Sequence, residues 1–378
     1  MSEPAKKPGR LPEGYSPQAK PVIMKLAAEI IPGKTCEVRA ANGGSYIDGL
    51  PMLRWGEWKD CTYGGALALI FGAMGVRTSY EEIMGLSGAC YKAILGEDWD
   101  PSSEMPQVGA NCEHNAPQAF GIRAYCLKNE KKRDANVMKN LDRGFPVLLC
   151  GQRAAPEWTV LTGYEKAGGG IRFFGRTYFD YEGAAGDETY TDNRYYLANQ
   201  YPGEYPNGLL RFYDKKRRPL NPRKALRISL ETCLRTFAPE KPGGYKQGYD
   251  AYDIMIAGFE LDEEQYRAKC RNDQYHIGSL MDARRAAHIY LRDSAALLTG
   301  ENRALLLQAS ALYRAMLENM LAAVPYEKTS SVFNGNSNPT WNAAQRRALV
   351  KALRENKGLE KQVRVIVAEI LEHWRRKK

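Results

Sequence analysis

The pattern of apolar residues changes near residue 200, and this change constrains the fold more than any other feature of the sequence. Before it, short apolar runs are separated by turn signals such as Asn42-Gly43 and Asp48-Gly49. After it, almost the whole chain has helical periodicity, with expected helices at 223–237, 248–260, 262–272, 277–298, 301–323, 340–355 and 357–376. The pattern predicts an α+β domain with an antiparallel sheet over residues 35–215, preceded by a tail and short helix over 1–34 and followed by an all-α helical bundle over 216–378.

The net charge of +10 is divided at the same point. Residues 1–200 hold 23 Lys and Arg against 24 Asp and Glu, whereas residues 201–378 hold 31 against 20. The basic excess of the second half is typical of a solvated helix surface, and it would also suit an acidic partner such as a carrier protein. A nucleic acid is a less favoured partner, because a lone basic cluster at Lys215–Arg218 is weak support for one.

The sequence has no stretch that is long and apolar enough to span a membrane, and its first 20 residues lack the apolar core of a secretory signal. We therefore expect a cytoplasmic protein with no membrane partner. Its eight cysteines form no CxxC pair and no zinc-type cluster with histidine, and the P-loop, dinucleotide-binding and HExxH motifs are absent. These observations predict reduced thiols, no metal and no cofactor.

Local signals predict the elements of the first half. Helices are expected at 21–31, 115–120 and 131–143, and strands at 122–127, 146–150, 159–163 and 171–174. A further helix has Asp60 as its expected N-cap and ends at Gly75, and the next begins with a capping box of Ser79 and Glu82. Cys61 would then lie at the positive end of a helix dipole, which lowers the pKa of a thiol and favours the nucleophilic thiolate. A structural cysteine that happens to start a helix is the alternative.

A family resemblance rests on four stretches of the sequence. They are DCTYGGALALIFGAMGV from Asp60, EEIMGLSGACY from Glu81, GFPVLLCGQRAAPEWTVLTGYE from Gly144 and MDARRAAHIYLRDSAALL from Met281. Together they resemble the papain-like cysteine peptidase superfamily, in its C39-like, butirosin biosynthesis H-type branch. The resemblance covers most of residues 45–325 and implies a papain-like fold. It also implies acyl transfer from a carrier protein to an amine, with Cys61 as the acyl acceptor.

The chain departs from this family at three positions of the catalytic constellation, and only the cysteine is carried over intact. Where the family has the Asp or Asn that orients the base, this chain has the stretch from Gly175 to Asp180. The base of papain-like enzymes is a histidine six residues before the Gly of the Gly-Tyr pair, and here that position is Glu157. The glutamine that helps to form their oxyanion hole, six residues before the cysteine, is Trp55 here. An ionised Glu157 would raise the pKa of the Cys61 thiol by repulsion, whereas a buried one is a usable acid or base. It could equally bind a cationic group of a ligand.

The family's cleft suggests further substrate-binding residues. Those expected at the catalytic helix, in the loop opposite and at the ends of the hairpin strands are Trp55, Asp60, Gly88, Cys90, Arg153, Trp158, Arg176 and Asp180. His114 is a possible partner of Cys61 from a loop, His288 fits a structural role on a helix, and His276 also belongs to the helical half. Two functions follow as hypotheses. The first is a cysteine-dependent acyltransferase or amide hydrolase with a small-molecule or peptide acyl substrate, and the alternative is a catalytically inactive ligand-binding protein of papain fold.

Overall fold

The computed structural model describes residues 24–53, 56–101, 105–126, 132–150, 157–178, 189–190, 194–197, 210–215, 218–237, 244–329 and 341–376. The helices in these ranges are α1 (Thr62–Ala73), α2 (Tyr80–Ser87), α3 (Asn115–Ala119), α4 (Arg133–Leu141), α5 (Pro222–Arg235), α6 (Tyr249–Glu260), α7 (Glu263–Lys269), α8 (Asp273–Ser294), α9 (Gly300–Ala323) and α10 (Ala343–Arg376). The strands are β1 (Ile30–Ile31), β2 (Val38–Ala41), β3 (Gly44–Ile47), β4 (Thr78–Ser79), β5 (Ile94–Gly96), β6 (Ile122–Tyr125), β7 (Val147–Cys150), β8 (Trp158–Ala167), β9 (Gly170–Arg176), β10 (Thr189–Tyr190), β11 (Arg194–Leu197), β12 (Phe212–Lys215) and β13 (Tyr245–Gln247).

A seven-stranded sheet is the centre of the first half. Its order is β10-β11-β9-β8-β3-β2, and β7 pairs with the first half of β8. Every strand pair among the described residues is antiparallel. The chain is therefore a mixed α/β protein with antiparallel sheets and a C-terminal helical region, which confirms the predicted class at this level.

Helix α1 lies inside the first half, and all of its residues are buried. A helix that is apolar on every side must be covered on every side, which explains the run ALALIFGA of its sequence. Gly65 is needed for a close approach, since a Cβ there would lie 1.9 Å from the hydroxyl oxygen of Tyr178. Gly75 ends the helix at φ 76, where a side chain would be strained. The predicted position of this helix is confirmed.

The helical region packs directly on the first half. One hydrophobic core contains buried residues of α1, α2 and the sheet together with residues of α5, α8, α9 and α10. In addition, β13 pairs with β5, so a strand from the second half completes a sheet with the first. None of the helices in the described ranges combines the length and apolarity that a membrane crossing requires.

Two predicted elements are wrong. The described part of the expected helix at 21–31 is not helical; it ends in strand β1, and the carbonyl groups of Lys25 and Leu26 accept hydrogen bonds from arginines of α8. The expected break near residue 356 does not occur, and α10 is continuous. Asn356 is buried there and donates to the carbonyl of Met316 on α9, so tertiary contacts support the helix across the exposed Gly358.

Candidate active site

Cys61 occupies the N-terminus of α1. It is the N-cap residue, with extended backbone angles (φ −73°, ψ 101°) and no hydrogen bond from its side chain to the helix. The helix thus begins at Thr62, one residue later than an Asp60 cap would give. The half-buried Cys61 side chain lies at the positive end of the helix dipole, as the sequence predicts, because the N-terminal N–H groups of an α-helix point toward it.

Asp60 is not the N-cap, and this prediction is wrong. Its carboxylate is buried and accepts hydrogen bonds from the Gly56 N–H at 2.8 Å and the Tyr326 hydroxyl at 2.5 Å. Tyr326 stacks on Trp58 with ring centroids 3.6 Å apart. Asp60 therefore ties the segment before α1 to the helical region, and it does not line the cavities at Cys61 described below.

A chain of hydrogen bonds from α8 fixes the backbone at Cys61. The Cys61 N–H donates to the hydroxyl oxygen of Tyr80 at 3.1 Å, and the Tyr80 hydroxyl donates to Asp282 at 2.5 Å. Asp282 also accepts from the Asp60 N–H at 3.1 Å. Burial and the nearby Asp60 raise the pKa of Asp282 to about 7, and burial raises the pKa of Asp60 as well.

Two cavities adjoin Cys61. The first, called here the Glu157 cavity, has a volume of about 10 Å³ and is lined by Cys61, Thr62, Tyr63, Met105, Glu157, Trp158 and Tyr275. The Trp158 N–H donates to the Thr62 hydroxyl at 3.3 Å, so the start of β8 is held against the start of α1. The structure thereby brings Cys61, Glu157 and Trp158 together, and Glu157 is only 1% exposed.

The second cavity, called here the His276 cavity, lies between α1, α2, β5 and α8. Its volume is about 20 Å³, and its polar lining residues are Cys61, Tyr63, Lys92, Cys112, His276 and Ser279. The Lys92 ammonium donates to the carbonyl of Met105 at 2.8 Å. Cys61 and Tyr63 line both cavities, so Cys61 has a carboxylate on one side and an imidazole on the other.

The buried thiols elsewhere differ from Cys61 in their surroundings. Burial raises the pKa of Cys233 and Cys270 to about 12, and it does the same for Cys150 with help from the charge of Glu157. Burial also raises the pKa of Cys90 and Cys112. These five side chains are buried, whereas Cys61 is half-buried at a helix N-terminus. A helix N-terminus is the kind of position at which proteins stabilise a thiolate.

Other predicted substrate-binding residues have structural surroundings. Gly88 ends α2 at φ 87, and a Cβ there would meet Thr232 at 2.4 Å. Cys90 is fully buried, and its carbonyl accepts from Arg284. Arg176 is buried and donates twice to the carbonyl of Leu50. None of these three lines the cavities at Cys61, and their contact with a ligand stays a prediction.

His114 is not among the residues that line these cavities. Its side chain is 65% exposed at the start of α3, and its Nε2 atom lies 4.0 Å from a carboxylate oxygen of Glu113. The predicted residues Trp55, Arg153 and Asp180 lie outside the described residues, as do the expected N-terminal tail and the interruption at 330–340.

The local sequence patterns do not single out Tyr80, Tyr275 or Asp282 for the site, and they give His276 no specific role. Three of these residues belong to α8, where nineteen residues are buried, including Asp282, Arg284 and Arg285. A buried charged residue needs a partner, and Arg285 binds Glu81 at 2.8 Å. Some polar residues of this helix face the first half and others face neighbouring helices, such as His288, which bonds Ser310 on α9, although their sequence pattern is that of a solvated surface.

One group of possible metal ligands occurs in the described ranges. Glu301, Glu369 and His373 have ligand atoms within 4.8 Å of one another on α9 and α10. Glu301 is exposed, and none of the three lines the cavities at Cys61. No protein-family model matches the chain, and no curated protein matches it.

Proposed function

We propose that the chain is a papain-like, cysteine-dependent acyltransferase or amide hydrolase in which Cys61 accepts the acyl group. The observation that carries this proposal is the position of Cys61, which is half-buried at the N-terminus of α1 between two cavities lined by titratable side chains. A helix N-terminus stabilises the thiolate, and the thiolate is the nucleophilic form of cysteine. The antiparallel sheet, with β8 starting beside Cys61, supports the papain-like assignment.

The proposed reaction has two steps. The Cys61 thiolate attacks the carbonyl carbon of an acyl thioester, the bond to the leaving sulfur breaks, and the leaving thiolate takes up a proton. An amine, or water in hydrolysis, then attacks the acyl group on Cys61 and loses a proton. The amide or acid is released, and Cys61 is restored.

Glu157 lies beside Cys61 in the Glu157 cavity and has a role on the amine side of this scheme. A carboxylate binds the ammonium form of an amine, and a buried carboxylate can accept a proton from it. We assign Glu157 to the acceptor amine, because a carboxylate next to a thiol opposes formation of the thiolate by repulsion.

Intact-protein mass spectrometry tests the acylation step. The full chain is incubated with a short acyl thioester of N-acetylcysteamine, and we expect the mass of one acyl group to be gained. Cys61→Ala should gain none, whereas the control Cys150→Ala should behave like the unaltered chain, since Cys150 has a raised pKa. Addition of an amine should then remove the acyl group. No mass gain, or an equal gain in Cys61→Ala, would exclude the proposal.

A ligand-binding protein without catalytic activity is the second candidate, and one observation favours it. The Cys61 N–H is bonded to Tyr80, whereas acyl transfer uses N–H groups near the nucleophile to stabilise the oxyanion. This candidate predicts that Cys61 titrates near the ordinary thiol pKa of about 8.5. The pH dependence of its alkylation by iodoacetamide distinguishes the two, because an activated thiolate reacts at lower pH.

A further inference from the structure

We propose that His276 is the proton acceptor for the Cys61 thiol, so that an imidazole from the helical region acts where position 157 carries a carboxylate. This proposal rests on the proposed function, because it concerns activation of the same thiol. It assigns the two sides of Cys61 to different tasks. His276 would activate the nucleophile, and Glu157 would bind the ammonium group of the acceptor amine.

Cys61 and His276 line the same cavity, and its volume of about 20 Å³ accommodates about one water molecule. A general base can take a proton directly or through one water. The cavity has room for the route through one water. His276 is only 1% exposed, so the imidazole is enclosed with the thiol and is screened from bulk solvent.

One hydrogen bond determines the tautomer of His276. Its Nε2 atom lies 3.1 Å from the carbonyl oxygen of Trp99. A carbonyl oxygen only accepts hydrogen bonds, so Nε2 carries the proton and donates it. In the neutral ring Nδ1 then has the lone pair and is the basic atom. This is the arrangement of a general base whose far nitrogen is held by a third group.

The residues that hold His276 have unusual backbone conformations. Trp99 and Asn272 have φ values of 57° and 58°, and Trp58, three residues before Cys61, has 60°. These are the non-glycine residues with positive φ in the described ranges. A positive φ is unusual for a bulky residue, and such conformations are concentrated at functional sites. Both Asn272 and His276 bond the Trp99 carbonyl, so the strained positions converge on the proposed base.

The ring orientation of His276 is also fixed by aromatic contacts. The Trp99 and Tyr275 rings meet it edge to face, with centroids 5.8 Å and 5.4 Å away. Because Tyr275 lines the Glu157 cavity, the first turn of α8 contributes one residue to each cavity beside Cys61. A rigid imidazole loses less conformational freedom when it accepts the proton.

The charges around the cavity favour proton transfer from the thiol. The Lys92 ammonium lines it, and the N-terminus of α1 adds a partial positive charge. Other titratable groups near Cys61 are Tyr63 and Cys112 in the His276 cavity, Glu157 and Tyr275 in the Glu157 cavity, Tyr80 and Asp282 behind the Cys61 backbone, and Tyr178, whose hydroxyl donates to the carbonyl of Lys59. The Glu157 carboxylate opposes loss of the thiol proton. The Lys92 ammonium, the N-terminus of α1 and the imidazolium that forms are positive and offset this effect.

In the proposed step the S–H bond of Cys61 breaks and its electron pair stays on sulfur. The proton goes to Nδ1 of His276, directly or through one water, and the resulting imidazolium still donates from Nε2 to the Trp99 carbonyl. During release of the first product the imidazolium returns the proton to the leaving thiolate. No other reactant is required.

Alkylation of Cys61 by iodoacetamide as a function of pH, followed by peptide mass spectrometry, tests the proposal in the full chain. We expect His276→Gln to move the alkylation profile to higher pH, into the range of an ordinary thiol. Labelling at pH 7 should slow by about 30-fold, since a thiol with a pKa near 8.5 is about 3% ionised at that pH. Glutamine can still donate to the Trp99 carbonyl. His288→Gln is the matched control on α8, where His288 bonds Ser310, and should leave the profile unchanged. An unshifted profile in His276→Gln would overturn the proposal.

A second measurement does not depend on folding of a His276 variant. The imidazole of His276 is titrated by NMR in the unaltered chain and in Cys61→Ala. If the thiolate and imidazolium form a pair, removal of the sulfur moves the His276 titration to lower pH, because the coupling is reciprocal. Identical titrations would contradict the proposal. If these results hold and no acyl thioester reacts, the base assignment stands and the proposed function fails. If the thioester acylates Cys61 but the alkylation profile of His276→Gln is unchanged, the proposed function stands and the base assignment fails.

Discussion

The Cys61 N–H donates a hydrogen bond to the Tyr80 hydroxyl oxygen, 3.1 Å away, and this contact ties the candidate nucleophile to the helical region. The same hydroxyl donates to Asp282 on α8 at 2.5 Å. The backbone that begins α1 is thus positioned by a residue more than two hundred positions later in the sequence. The helical region is therefore part of the site's construction.

Tyr80→Phe removes the acceptor of the Cys61 N–H and the donor to Asp282. At pH 8, above the raised pKa of Asp282, we expect the free energy of unfolding to fall by about 2–3 kcal/mol, because a buried bond to a charged group is worth more than a neutral one. Denaturant titration measures this change. Tyr91→Phe is the matched control, since its buried hydroxyl bonds the neutral Ser229 and its loss should cost about 0.5–1.5 kcal/mol. Equal losses in the two variants would contradict the prediction.

The buried Asp282 carboxyl predicts the direction in which stability changes with pH. Its pKa is raised from 3.8 to about 7 in the folded chain, so the native state binds more protons than the unfolded state between these values. The contribution of Asp282 to the free energy of unfolding is complete below about pH 4 and is lost as the pH rises through 7. We expect Asp282→Asn to remove this component from the stability profile, measured by denaturant unfolding from pH 4 to pH 8. An unchanged slope would count against the assignment.

The cysteines should differ in reactivity in the native chain. With a pKa of about 12, only about one in ten thousand molecules of Cys150, Cys233 or Cys270 is ionised at pH 8. We expect iodoacetamide to label the half-buried Cys61 under native conditions and these three only after denaturation. Peptide mass spectrometry reports each site separately. Labelling of Cys61 only in denaturant would show that the sulfur is inaccessible.

A fully buried ion pair joins α8 to α10. Arg284 and Glu360 lie 2.5 Å apart and both side chains are 0% exposed. Glu360→Ala leaves the arginine charge buried without this partner, and we expect a loss of about 3–5 kcal/mol in the free energy of unfolding.

The double variant Arg284→Met/Glu360→Leu is the control for this ion pair. It removes both charges and should recover much of the stability, because an apolar pair has no desolvation cost. Thermal and denaturant unfolding measure both proteins. A double variant less stable than Glu360→Ala would show that the arginine's bonds to the carbonyls of Cys90 and Lys92 outweigh the ion pair.

Local sequence signals predict much of the secondary structure. The capping box at Ser79 is confirmed in its main contact, since the Glu82 N–H donates to the Ser79 hydroxyl at 3.0 Å. The helices after residue 220 follow their apolar period, because each packs apolar residues into one or both of two hydrophobic cores. The N-cap prediction for Asp60 is wrong. The capping rule considers only that an Asp precedes a helical pattern, and it does not consider which groups the carboxylate binds in the folded chain. Its oxygens instead bind Tyr326, a residue that no local rule brings near.

The sequence by itself determined that a buried helix begins beside Cys61 and that antiparallel strands precede a helical region, because capping, turn residues and apolar period act over a few neighbouring residues. Only the tertiary structure decided what surrounds the thiol. His276 and Tyr275 reach Cys61 from α8, and Glu157 reaches it from the start of β8. The apolar period of α8 does not indicate which of its polar residues face Cys61, because almost the whole helix is buried and the packing of the two halves selects the face.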